Sequence, residues 1–95
     1  MSLFERKGNT LKVMAPMRHD NAPALLAEGR ALLASDITEI DLAAVSEADS
    51  SALALIFAWL RDARAQGRTL AIRNPPAGLT SLAGVYGVDE FLPLA

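Results

Sequence analysis

Hydrophobic positions at the start of the chain alternate with polar ones, then fall at helical spacing, and the switch recurs twice more. Leu11, Val13 and Ala15 alternate with Lys12 and Met14 behind the break Lys7-Gly8-Asn9, which predicts a β-hairpin ending at Pro16. Leu25, Leu26, Gly29, Leu32 and Leu33 then share one flank at a 3.6-residue period. With Asp20 or Asn21 as N-cap and Pro23 in the first turn, they predict a helix over 22–34. The short β-branched and apolar run "ITEIDL", residues 37–42, suits a buried strand. Residues 51–66 contain no Gly or Pro and meet Gly67, so they predict the longest helix. A further strand follows at 69–73. After an Asn cap and two prolines, Leu79, Leu82, Ala83 and Tyr86 stand at i, i+3, i+4 and i+7 before Gly87 and predict a short third helix. The tail from residue 88 fits either an edge strand or an irregular packed segment. The order ββαβαβα(β) predicts an α/β fold, a mixed β-sheet with an N-terminal hairpin and helices mainly on one face.

Composition narrows the setting. With 95 residues, 52% of them hydrophobic, the chain is expected to build one core and form a single domain over residues 1–95. A net charge of -2 without a cluster of Lys and Arg argues against a nucleic-acid partner. The absence of cysteine removes disulfides and thiolate chemistry and fits a reducing compartment. The longest apolar run, residues 52–60, is about half of the ~20 residues a spanning helix requires, and the N-terminus lacks a secretory pattern. These features predict a cytoplasmic domain without direct membrane insertion, free to join a membrane complex through another subunit.

The usual catalytic patterns are missing. His19 is the only histidine, there is no G-x-S-x-G or phosphate-binding glycine loop, and Asp89-Glu90 reads as a solvated turn. The expectation is therefore a protein that is not an enzyme, with no catalytic residue, metal site or cofactor.

The stretch "EADSSALAL" is more informative. Asp49 or Ser50 can cap the long helix, which accounts for one acid or one hydroxyl. Ser50 and Ser51 are also regulatory or phosphoacceptor candidates, because a phosphate there would meet the positive end of the helix dipole, with Asp49 as the supporting acid. Along the helix, Leu53, Ile56, Phe57 and Leu60 share the face expected to cover the sheet. Leu55 and Trp59, flanked by Ala52 and Ala58, point to the other side. Either the neighbouring helix covers Trp59, or Ala52, Leu55 and Trp59 form a partner-binding surface with an aromatic anchor. Arg61, Arg64 and Arg68 either complement the helix dipole or rim that interface.

The element order, together with "DLAAVSEADSSALAL", "NPP" and the ending "YGVDEFL", resembles a STAS domain, the fold of anti-sigma-factor antagonists and of transporter accessory modules. The topological resemblance spans essentially the whole chain, and the motif resemblance covers residues 37–92. It is most similar to small free-standing members that serve as cytoplasmic subunits of ABC-type phospholipid transport complexes, which maintain outer-membrane lipid asymmetry. There the position of Ser50 carries a functionally important threonine. The resemblance implies a non-catalytic accessory subunit that binds the ABC transporter ATPase, lies peripheral to the inner membrane and uses Ser50. In the sigma-regulating branch a D-S-S/T-G-L stretch is phosphorylated. Asp49, Ser50, Ser51 and Leu53 match it and Ala52 replaces its glycine, which makes a phosphoswitch partnered by an anti-sigma factor kinase the second reading.

Overall fold

The structure is a computed structural model that describes residues 3–33 and 36–94. Residue 34, the expected end of the first helix, and residue 95 of the tail lie outside the described residues. Four strands, β1 (Phe4–Lys7), β2 (Thr10–Val13), β3 (Glu39–Asp41) and β4 (Ala71–Arg73), form one mixed sheet in the order β1-β2-β3-β4. The hairpin turns through Gly8 and Asn9, so that Lys7 faces Thr10 and Phe4 faces Val13. The other two pairings are parallel, with Leu11, Ile40 and Ile72 abreast. Two of the expected strands prove shorter than their apolar runs, although Leu42 N–H still donates to the Arg73 carbonyl beyond β3 (2.9 Å).

The helices are α1 (Ala22–Leu32), α2 (Ser50–Ala65) and α3 (Ala77–Val85). The crossovers β2-α1-β3 and β3-α2-β4 advance across the sheet in the same direction, and right-handed connections then place both helices on one face. Helices α2 and α3 end alike. Arg68 N–H reaches the Ala63 carbonyl and Gly67 N–H that of Arg64; Val88 and Gly87 repeat the pattern on Ala83 and Gly84. This double closure needs a residue at positive φ, which Gly67 (71°) and Gly87 (69°) supply. The tail forms a 3-10 turn at Asp89–Phe91 and then bridges in parallel to β4, with Ile72 N–H donating to the Pro93 carbonyl (2.8 Å). Both expectations for the tail are thus met in part.

The core lies between the sheet and the helix layer. Leu11, Val13, Ile40 and Ile72 rise from the strands, and Leu25, Ile56, Trp59 and Leu79 descend from the helices. Phe4 meets Trp59 edge to face at 5.9 Å between ring centres. The opposite sheet face holds Glu5, Lys12, Asp41 and Arg73 in one cross-strand row and is left to solvent.

The expected surface of Ala52, Leu55 and Trp59 is corrected here: their exposures are 0%, 3% and 1%. The covering element is α1, which comes close because Gly29 has no side chain; a Cβ there would lie 2.7 Å from the Trp59 indole. The buried arc of α2 runs from Leu55 through Ala52, Trp59 and Ile56 to Leu53, and Phe57 and Leu60 are only half-buried at its α3 side. Of the two expected asparagine caps, one holds in position only and the other is corrected. Asn21 occupies the N-cap position of α1, but its side chain serves the preceding loop, donating to the Pro16 carbonyl (2.5 Å) and accepting from Arg18 N–H (3.0 Å). Pro76 occupies the N-cap position of α3, and Asn74, at a φ of 52° that asparagine tolerates, donates to Asp41 Oδ1 (3.0 Å).

Candidate functional site

Parallel strands point their C-terminal ends at one edge of the domain, and the loops there carry the start of α2. In open α/β sheets this is the edge that binds partners and ligands. The loop after β2 and the loop after β3 are stitched together before α2 begins. Met17, fully buried, donates its N–H to the Glu47 carbonyl (2.9 Å), and Asp49 N–H donates back to the Met17 carbonyl (3.1 Å). An Arg18–Glu47 ion pair at 2.6 Å closes the outside of this seam.

Asp49 therefore arrives at a fixed place as the N-cap of α2. One carboxylate oxygen accepts from Ser51 N–H (2.8 Å), and the other accepts from His19 N–H (2.9 Å) with the His19 ring Nδ1 3.3 Å away. The His19 N–H is the main cause holding the Asp49 carboxyl below the usual carboxylate value. Desolvation opposes it, and bonds from the Ser51 N–H, the His19 ring and the Ser51 hydroxyl add to it. Of the two capping candidates, the acid does the capping.

Ser50 is left with other possibilities. It is the first residue of α2, exposed, with no hydrogen-bond partner for its hydroxyl among the described residues. Ser51 is half-buried and turned toward Asp49. The first N–H groups of α2 and the helix dipole face the same side as Ser50, so a negative group or a hydrogen-bonding partner is favoured there. Beside it a shallow apolar groove of about 370 Å³ opens between the starts of α1 and α2, lined by His19, Pro23, Leu26, Ser51, Ala54 and Leu55, with Ala22 at its edge.

Of the predicted site residues, the structure brings Asp49, Ser50 and Ser51 together and leaves Leu55 only as the floor of the groove. Ala52 and Trp59 are withdrawn into the core. The methyl of Ala52 faces inward, so its replacement of glycine puts no bulk beside Ser50. The contributions of His19, Pro23, Leu26 and Ala54 were not read from the sequence. Ala54 was accessible to the helical wheel, since it lies one turn after Ser50 on the same exposed flank; the α1 residues depend on tertiary packing and leave no local signal.

The fold and site together are a mixed sheet with one helix layer and a hydroxyl presented at the start of α2. The chain belongs to the STAS domain family: a family model described as "Mlab, STAS domain" matches residues 3–94, and the chain is similar to MlaB. Among solved structures it is similar to a candidate anti-sigma factor antagonist from Thermotoga maritima, at a TM-score of 0.66 and 16% identity over 96% of this chain and 82% of that one. It is also similar to the Bacillus cell fate determinant SpoIIAA in its phosphorylated form (TM-score 0.64, 18% identity, 97% of this chain and 88% of that one). The unphosphorylated anti-sigma factor antagonist SpoIIAA gives the same TM-score and identity over 96% and 83%. At these identities the structural likeness carries the fold alone. No sequence among the curated proteins matches the chain.

Proposed function

We propose that this protein is a non-catalytic cytoplasmic subunit that binds the ATPase of an ABC-type phospholipid transport system and regulates it by contact. The observation that carries this reading is the exposed Ser50 hydroxyl at the start of α2, released from capping by Asp49 and set beside an apolar groove. The MlaB-type family model supports the transport branch. No described helix is long and apolar enough to cross a membrane, so attachment to such a complex would run through a protein partner. The docking surface consists of Ser50, Ala54, Pro23 and Leu26 rather than the stripe through Trp59.

Co-purification with the ATPase subunit tests it. Ser50→Glu and Ala54→Arg, both at exposed positions, should each reduce recovery of the ATPase at least about tenfold while leaving the fold intact, as expected when a charge or bulk enters a docking surface. Unchanged recovery and unchanged ATP turnover with both variants would overturn the proposal. A second reading, a partner-switching antagonist phosphorylated by an anti-sigma kinase, is favoured by the same unbonded hydroxyl. It predicts one phosphate on Ser50 by mass spectrometry after incubation with such a kinase, and an unmodified Ser50 would remove it.

A further inference from the structure

The second half of α2 presents another surface, about 10–20 Å along the helix from Ser50 at 1.5 Å per residue. There Phe57, Leu60, Arg61, Arg64, Val88 and Phe91 line a groove of about 340 Å³. It continues past Phe91 into a smaller depression that shares Leu60 and Arg64 and ends at Pro93. Phe91 is 62% exposed, and Val85 and Tyr86, at the end of α3, are 80% and 58% exposed. Large apolar side chains left in water close together mark a contact surface more often than chance does. The walls of the groove are cationic: Arg61 and Arg64 stand one turn apart, and neither makes an ion pair among the described residues.

The occupant of such a groove must offer an apolar group flanked by carboxylates. The turn that borders the groove offers it. Asp89 and Glu90 immediately precede Phe91 on the 3-10 turn, both exposed and in no ion pair among the described residues. A two-fold interface requires one patch to be complementary to itself, because each contact occurs twice with the roles exchanged. Two cations, two acids, an apolar groove and the exposed aromatic on its wall meet that requirement. We propose that two copies of this chain associate through this end, each setting Phe91 against the groove of the other and Asp89 and Glu90 against its Arg61 and Arg64. The two exposed acids next to Phe91 make this end a poor match for an anionic lipid surface, which would be repelled by them. Association at this end leaves both Ser50 sites free at the outer ends of the pair, which makes it bivalent toward a partner.

Sedimentation of the full chain, with charge reversal, tests the proposal independently of Ser50. The native chain should show a two-chain species that grows with concentration up to about 1 mM. Arg61→Glu with Arg64→Glu gives an all-acidic face, and Asp89→Lys with Glu90→Lys gives an all-basic one; each variant alone should associate at least about tenfold more weakly. Mixed in equal amounts, they should regain the two-chain species, since both sets of pairs are then attractive. Phe91→Ser should weaken association without altering the circular dichroism spectrum. A native chain that stays single throughout, charge variants that pair as the native chain does, or a mixture that fails to pair would each overturn it. Co-sedimentation of a single-chain native protein with phosphatidylglycerol vesicles, lost on reversing the two arginines, would reassign the surface to lipid.

Discussion

At the scale of single residues, the site separates two tasks that adjacent side chains of similar chemistry could have shared. Asp49 holds the backbone of α2 and of the His19 loop, and the Ser50 hydroxyl holds no partner among the described residues. Ser50→Ala is therefore expected to change unfolding free energy by less than about 0.5 kcal/mol, the usual range for a surface change that breaks no contact. Asp49→Ala should cost about 1–2 kcal/mol, because it removes a cap; urea titrations of both variants check the contrast. The carboxyls of Asp49, Asp41 and Asp36 all sit below their ordinary value of 3.8 in the fold. For Asp36 the cause is the Arg6 guanidinium beside it. For Asp41, partial desolvation pulls upward but bonds from Asn74 and the Ala43 N–H outweigh it. A group depressed in this way stabilises the fold fully above its unfolded value, and that stability is lost as pH falls through the folded value. Stability should thus decline as the solution is acidified below about pH 4, and Asp49→Asn, which still caps but has no charge to lose, should show a shallower decline.

At the scale of elements, the pair α1 and α2 turns on one missing side chain. Gly29→Ala would normally favour a helix interior by about 1 kcal/mol. Here the new Cβ would meet the buried Trp59 ring at 2.7 Å, and a rigid indole packed against Phe4 has no room to retreat. The clash should outweigh the propensity, with a net loss of about 1–3 kcal/mol. Combining it with Trp59→Leu should cost less than the two changes summed, a coupling that a double-mutant cycle in urea would expose. The same contact explains what was legible in the sequence and what was not. The ends of α2 and α3 were legible because Gly67 and Gly87 act within one turn of the chain, and the hairpin because its break and its alternation are local. The choice between a neighbouring helix and a partner as the cover of Trp59 was not, because it depends on Gly29, thirty positions away, permitting two helices to approach. The asparagine caps misled for a related reason. Asn21 and Asn74 carry the right chemistry for a helix start, but Pro16 and Asp41 offered them better partners. Asp49 and the two serines were placed correctly at the start of α2, whereas the surface around them took in Pro23 and Leu26 from an element whose approach no local pattern reveals.

At the scale of the whole molecule, a single layer of helices leaves one face of the sheet in water, and that face has to be stable without burial. A domain of this size is held by only about 5–15 kcal/mol, so cross-strand pairs on the open face are a meaningful share. Glu5 faces Lys12, Lys12 faces Asp41 and Asp41 faces Arg73, giving alternating charge across all four strands. Arg73 also reaches diagonally to Glu39 at 3.2 Å. The row joins the antiparallel hairpin to the parallel part of the sheet at the one strand they share, β2. Lys12→Glu would set three acids side by side, turning two favourable pairs into two unfavourable ones at about 0.2–1 kcal/mol for each pair. The expected loss is about 1–2 kcal/mol in dilute buffer, falling markedly in 1 M salt, where charges this exposed are screened over about 3 Å. Urea titration at the two ionic strengths reads this directly. A loss of equal size in both would mean that the aliphatic stem of Lys12, and not its charge, supports the open face.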